Sequence, residues 1–285
     1  MKETVLVSGG AGYIGTHTTV ELIEAGYDVV IVDNLSNSEM AAVEGVRKIT
    51  GVNVPFEQVD CTDKEALGRV FDQYKFNSII HFAASKAVGE SVEKPLLYYR
   101  NNLQSLITIL ELMRDKGVRN IVFSSSCTVY GQPDVLPVTE QTPRQPATSP
   151  YGNTKQICED ILRDTVHAYP ELFGIALRYF NPIGAHPSAL IGELPKGVPM
   201  NLVPFITQTA AGIRECLSVF GDDYDTPDGS AIRDYIDVND LARAHVVAVD
   251  RMVGGKSKSN YEYFNIGTGR GLSVLELIAE FEKAT

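Results

Sequence analysis

Tyr151 and Lys155 stand four residues apart just after Pro150, a spacing that sets a phenol and an ammonium on one face of a helix. Upstream, the apolar run Ile121-Val122-Phe123 ends in three serines, Ser124 to Ser126. A phenol with an ordinary pKa of about 10 is a poor base at neutral pH, so it needs nearby positive charge to ionise. Lys155 supplies one such charge, and an oxidised nicotinamide ring would supply another. Tyr151 could then accept a hydroxyl proton while a hydride leaves the same carbon. Ser126 is placed to hydrogen-bond the oxygen that becomes a carbonyl. Taken alone, Tyr-x-x-x-Lys reads equally well as an exposed helical pair. Its weight comes from its place, on a helix that follows the serine-ended strand and lies downstream of a nucleotide-binding turn.

That turn is at the N-terminus. Residues 4–15 run from an apolar strand into Gly9-x-x-Gly12-x-x-Gly15 and then into a helical pattern. Gly9 allows the tight turn, Gly12 the close approach of phosphates, and Gly15 the packing of helix on strand. The helix N-terminus then faces the negative charge. A second strand, Asp28–Asp33, ends in a carboxylate 18 positions beyond Gly15. This is close to the distance at which an acidic residue meets the adenosine ribose of a dinucleotide. A carboxylate there repels a 2′-phosphate, so NAD is expected rather than NADP.

The elements that must hold these residues alternate along the chain. Strands are expected at Val54–Asp60, Ser78–Ala84, Asn120–Ser126 and Phe173–Phe180. Helices are expected from Thr62, near Tyr98–Lys116 and from Tyr151, with Thr62-x-x-Glu65 in the form of a capping box. The pattern predicts an α/β fold, a doubly wound and mostly parallel Rossmann-type sheet over residues 1–180. After Asn181, prolines interrupt a glycine-rich stretch, and residues 181–285 read mainly as a smaller, irregular substrate lobe with segments returning to the main domain. Leu217–Phe220, Arg233–Val238 and Tyr261–Ile266 read as strands, Asn239–Met252 as a helix, and Ser273-x-x-Glu276 as a second capping box.

The 285 residues are 44% hydrophobic and 21% charged, with a formal net charge of −11. This is ordinary globular composition, and it disfavours nucleic acid or an acidic membrane surface as a partner. Cys61, Cys127, Cys158 and Cys216 are too scattered for a metal cluster or a disulfide framework, and the five histidines lack ligand spacing, so no metal is expected. No run approaches membrane-spanning length and the N-terminus leaves no room for a signal segment, which makes a cytoplasmic location the expectation.

Longer blocks carry a resemblance. Residues 9–15, Asp33–Ser36, His81–Ser91, Ser124–Gly131, Arg178–Ser188 and Arg233–Ile236 together resemble the extended short-chain dehydrogenase/reductase family, and within it the UDP-hexose 4-epimerases, over essentially the whole chain. The resemblance implies that Tyr151, Lys155 and Ser126 are catalytic. It implies that NAD is held by Tyr13 and Ile14 beside the glycines, by Asp33, Asn34, Leu35, Ser36, Asn37 and Ser38, and by Asp60 and Cys61. Phe82, Ala83, Ala84, Lys86, Asn101 and Tyr179 complete that implied lining, with Asp60 facing the adenine. For the sugar nucleotide it implies Lys86, Phe180, Asn181, Asn201 and Leu202, then Ser218, Val219 and Phe220, with Arg233 near the diphosphate.

The activity so implied interconverts UDP-galactose and UDP-glucose through a 4-keto sugar, with NAD retained between turnovers. A homodimer through helices Tyr98–Lys116 and Tyr151–Tyr169 is also implied. The alternatives are a sugar-nucleotide dehydratase or decarboxylase, an NAD-dependent sugar dehydrogenase, or a non-catalytic protein binding UDP-sugar and NAD. Two departures from the family pattern stand out: Asp237 where relatives usually carry His, and an end roughly fifty residues before the usual terminus.

Overall fold

Two apolar clusters sandwich one parallel sheet. The structure, a computed structural model, describes residues 2–285. Its first part runs β1 (Thr4–Ser8), α1 (Tyr13–Glu24), β2 (Asp28–Asp33), α2 (Met40–Thr50), β3 (Phe56–Gln58) and α3 (Lys64–Gln73). It continues with β4 (Ser78–His81), α4 (Val88–Glu93), α5 (Pro95–Lys116), β5 (Asn120–Ser126), α6 (Pro150–Ala168) and β6 (Phe173–Tyr179). The remainder is β7 (Asn181–Ile183), α7 (Leu202–Ala210), β8 (Ile232–Asp237), α8 (Val238–Val253), β9 (Tyr261–Ile266), β10 (Gly271–Ser273) and α9 (Val274–Ala284).

Seven strands form the sheet in the order β3-β2-β1-β4-β5-β6-β9, every neighbouring pair parallel. Successive strand residues point to opposite faces. Leu6, Ile79, Ile121 and Phe123 therefore meet α3, α5 and α6, while Val5, Val7, Ile80 and Val122 meet α1, α2 and α8. Strand order reverses between β1 and β4, and ligands of such sheets bind outside the carboxyl ends at that reversal. A second sheet, β10-β8-β7, carries the smaller lobe, with β7 and β8 parallel and β8 and β10 antiparallel.

Several expected boundaries shift. Asp63, not Thr62, caps α3, its carboxylate accepting from Ala66 N at 2.9 Å; Thr62 is instead drawn to Asp60, whose carboxylate takes both its amide and its hydroxyl. The Val54–Asp60 strand shortens to β3, since only Phe56–Gln58 lie in register with β2. Likewise the Ser78–Ala84 strand stops at His81. Helix α5 opens at Pro95, before Tyr98, because proline suits a first helical turn. Leu217–Phe220 forms no strand: the segment is largely exposed and no neighbouring edge pairs with it. The proline-interrupted stretch nevertheless contains α7, where Pro204 falls in the first turn and costs no backbone bond. The Ser273–Glu276 capping box is present in full at α9.

Candidate active site

The glycine turn is packed too tightly for side chains. Gly9 has φ +71°, and a Cβ there would lie 2.7 Å from Ala83 N, on the far side of the strand-order reversal. A Cβ on Gly15 would strike the Gly9 carbonyl and sit 2.7 Å from Gly10 Cα. The turn delivers α1 with Gly12 at its N-cap, no side-chain cap and no acidic residue in its first turn. Free amides and the positive end of the helix dipole therefore face the crevice, which is what a pyrophosphate needs.

Asp33 closes β2 beside this turn and is held from three sides. Ala11 N donates to one carboxylate oxygen at 3.1 Å, while Leu35 N and the Ser38 hydroxyl donate to the other at 2.8 Å. Leu35 adopts φ +58°, an uncommon conformation for a residue with a side chain, so the loop after β2 is bent to serve the carboxylate. Asn34 links this loop to Asp60 at 2.9 Å, and Ser36 N bonds the Asn34 side chain. Burial pushes the Asp60 carboxyl up, but donors from Thr62 and Asn34 outweigh it and hold the group below its usual range. Asn37 lies in the same loop. Cys61 is buried in the core beneath Asp60, its thiol pushed up to about 12 by burial. The crevice thus offers an anion cradle, a fixed carboxylate and polar groups in the places a dinucleotide requires. NAD fits it.

The three serines part company. Ser124 shares a hydrogen bond with the Tyr179 hydroxyl. Ser125 donates to Glu159 at 2.6 Å. Ser126 accepts from Thr128 N at 3.2 Å as the cap of a single 3₁₀ turn, Cys127–Tyr130, and so keeps its proton free to donate. After the loop of residues 131–148, helix α6 begins with Ser149 as N-cap, accepting from Gly152 N at 3.1 Å, and Pro150 in the first turn. This presents Tyr151, half-buried, at the crevice. Lys155 is buried one turn on, its Nζ donating to the Ser124 carbonyl at 2.6 Å and lying 5.0 Å from the Phe123 ring and 5.8 Å from the Tyr151 ring.

Burial sets the electrostatics of this pair. It pushes Tyr151 up to about 12, against a hydrogen bond from Ser126 that favours the phenolate. It pushes Lys155 down to about 8, against the pull of Cys158 and Glu159. Lys155 therefore does not by itself offset the burial of the phenol. The protein's own groups leave Tyr151 protonated near neutrality, and its ionisation calls for a second positive charge.

Of the other anticipated residues, Phe82, Ala83 and Ala84 follow β4, with Phe82 and Tyr179 packed on the His245 ring at 4.7 and 5.8 Å. Ile14 packs into the core under α1. Tyr13 donates to the Gly184 carbonyl at 2.7 Å, and Asn101 donates to Ser85 at 3.3 Å. Lys86 pairs with Glu193 at 3.5 Å, and Asn201, at the start of α7 beside Leu202, donates to the same carboxylate at 2.5 Å. Asn181 donates to the Asp234 carbonyl at 3.1 Å, and Phe180 lies against Gly267. Ser218, Val219 and Phe220 are not gathered in; Phe220 is 85% exposed. Arg233 is exposed and donates to its neighbour's carbonyl at 2.7 Å. Asp237 caps α8 through Asn239 N at 2.7 Å.

Sequence reasoning passed over three groups. Asn102, next to Asn101, ties the loop after β4 to α6 through Ser85 and Thr154. Glu159 continues the Tyr151–Lys155 stripe by one more turn, and that spacing is a signal that could have found it. The third is a strap, residues 184–201, joining α1, α2 and the loops after β2 and β4. Gly184 meets Tyr13, Ile191 packs with Val43 and Val46, Glu193 meets Lys86, and Lys196 donates to the Leu35 carbonyl at 2.9 Å. Tertiary closure of this kind leaves no periodic trace in a sequence.

Comparison with known proteins places this geometry. Residues 5–267 match the family model described as NAD dependent epimerase/dehydratase family. A protein of Arabidopsis thaliana, UDP-glucose 4-epimerase 2, is 52% identical over 288 aligned residues, covering 100% of this chain and 81% of its own. The UDP-glucose 4-epimerase of Homo sapiens is 50% identical, over 100% of this chain and 83% of its own. Among solved structures, the Bifidobacterium longum UDP-glucose 4-epimerase in complex with NAD+ and UDP is 50% identical with a TM-score of 0.95, covering 99% of this chain and 83% of that one. The Stenotrophomonas maltophila UDP-glucose-4-epimerase with bound NAD and formylated UDP-arabinopyranose is 48% identical with a TM-score of 0.94, over 99% and 83% of the two chains.

Proposed function

The chain belongs to the NAD dependent epimerase/dehydratase family, and from that premise we propose that it is an NAD-dependent epimerase interconverting UDP-galactose and UDP-glucose. The observation that carries the reading is the convergence of Ser126, Tyr151 and Lys155 on the crevice that the glycine turn and Asp33 prepare for a dinucleotide. The turn at residues 9–15 would hold the NAD pyrophosphate, Asp33 the adenosine ribose, and the loop after β4 the nicotinamide end. Bound NAD supplies the hydride acceptor and donor at C4 of the sugar, together with a positive ring charge.

Tyr151 takes the proton from the sugar O4 and later returns it, and Ser126 donates to the same oxygen as it becomes a carbonyl. Lys155 contributes positive charge under the phenol and holds the end of β5 through the Ser124 carbonyl. Inversion requires the keto sugar to present its other face, so the protein must grip the nucleotide firmly and the hexose loosely. Lys86, Asn181, Asn201 and Arg233 are the polar groups we assign to that grip.

A dehydratase or decarboxylase would need a further acid or base beside Ser126. Here the neighbours are Cys127 and Thr128, and burial pushes the Cys127 thiol up, so it stays protonated and cannot serve as that base. We further propose a cytoplasmic homodimer. The four unpaired cysteines suit a reducing compartment, and α5 and α6 lie side by side as a surface for a second copy; among the described residues no helix is long and apolar enough to cross a membrane. Incubating the purified protein with UDP-galactose, without added NAD, and following UDP-glucose by NMR tests the activity. A folded, NAD-loaded protein that forms none overturns it.

A further inference from the structure

Glu159 lies one turn beyond Lys155 and two beyond Tyr151 on the same stripe of α6, and it is 2% exposed. Its carboxylate is a junction. One oxygen accepts from the Ser125 hydroxyl at 2.6 Å and from Arg178 Nε at 2.8 Å, and the other from Arg178 Nη2 at 2.6 Å. Arg144, in the loop before α6, approaches at 3.7 Å. Arg178 also donates to the Tyr130 hydroxyl at 3.0 Å, which donates to Asn265 at 2.6 Å, and its guanidinium lies 4.1 Å from the Tyr263 ring centre. One buried carboxylate thus ties β5, α6 and β6 directly, and the turn after β5 and β9 through Arg178.

A buried ion pair is a weak source of cohesion, because well-packed apolar side chains usually serve as well or better. What this pair does supply is register. Ser125 shares its face of β5 with Ile121 and Phe123, the face that meets α6, so it is the handle by which α6 grips the strand end. Lys155 reaches the Ser124 carbonyl at 2.6 Å, and lies 5.8 Å from the Tyr151 ring, only at one height of helix against strand.

We infer that Glu159 is a positioning residue for the acid/base pair: through Ser125 and Arg178 it fixes the height of α6 against the end of β5, so that Tyr151 and Lys155 meet Ser126 in register. The inference rests on Tyr151 and Lys155 acting as proposed above. The titratable groups facing them are His81 from β4, Tyr98 from α5, Cys127 after β5, Tyr179 from β6, and Cys158 with Glu159 on α6 itself.

Three variants test it, each as purified NAD-loaded protein beside the wild type. Ser125→Ala cuts only the strand-side bond, and the double variant E159L/R178M replaces the whole pair with apolar side chains to preserve folding. In both, kcat should fall by about ten- to a hundred-fold, as for a small misplacement of reacting groups. KM for UDP-galactose should stay within about two-fold, and the ionisation governing the low-pH side of kcat should move upward as Tyr151 loses its partners. Glu159→Asp, which keeps the charge, should recover part of kcat. Wild-type kcat and pH profile in Ser125→Ala, or wild-type kcat in the folded double variant, overturns the inference. A wild type without epimerase activity overturns the proposed function instead.

Discussion

Replacing Tyr151 with Phe removes one hydroxyl from a half-buried ring and leaves the glycine turn and Asp33 untouched. Epimerisation should fall by roughly 10²- to 10⁴-fold, while the nucleotide released on denaturing the variant stays equimolar with protein; near-normal turnover would take Tyr151 out of its role. Lys155 gives the pH dependence. Burial holds it at about 8 instead of 10.5, so its charge is lost as pH rises through about 8, and kcat should decline on that alkaline side. The same shift opposes the fold: a lysine depressed in the native chain stabilises it only above its ordinary 10.5, and that contribution is gone once pH falls through about 8. The acid/base pair was legible in the sequence because i,i+4 spacing maps directly onto a helical face. Which serine acts was legible only by its place at the strand end, and the partners of Ser124 and Ser125, Tyr179 and Glu159, lie 55 and 34 residues away.

Helix α6 carries the chemistry, and its start is set by Ser149. Ser149→Ala should lower stability by about 1 kcal/mol, read as a shift in the denaturation midpoint with unchanged slope. Because the capped turn contains Tyr151, kcat should fall in the same variant. The strap offers a second element to perturb: Glu193 holds Lys86 and Asn201 together, and Glu193→Ala frees both. Loss of NAD on dialysis should be faster in that variant, measured as nucleotide retained over time, while an unchanged rate would show that the strap does not confine the cofactor. Elements with a period, such as α5 and β5, could be read from the sequence. The end of β4 could not, because the strand stops at His81 where pairing stops, short of the expected Ala84, and pairing is a property of the neighbour. Leu217–Phe220 has strand-like residues and no edge to join.

At the scale of the molecule, two histidines are kept neutral by burial. His81 is pushed down to about 3 and His245 to about 4, the first by burial with Lys155 adding to it, the second by burial against a bond to the Leu241 carbonyl. Groups depressed in this way stabilise the fold above their ordinary 6.5, and that contribution is lost as pH falls through about 4 and then about 3. Thermal midpoints should therefore decline below pH 6.5, and His245→Phe should flatten the part of the decline that ends near 4. Light scattering should give twice the chain mass if α5 and α6 pair with those of a second copy. The doubly wound architecture was legible from βαβ alternation. The smaller sheet was not, because β7, β10 and the strap are short or irregular and exist through contacts with distant residues.

The strap beside the crevice would also give the molecule a memory. A dinucleotide confined by a strap that ties α1, α2 and the loops after β2 and β4 would exchange slowly with the medium, so the redox state it acquires on one occasion would persist into the next. Should a half-processed sugar escape, the chain it abandons would stay idle in fresh buffer until an oxidant able to reach inside, or unfolding itself, reset it.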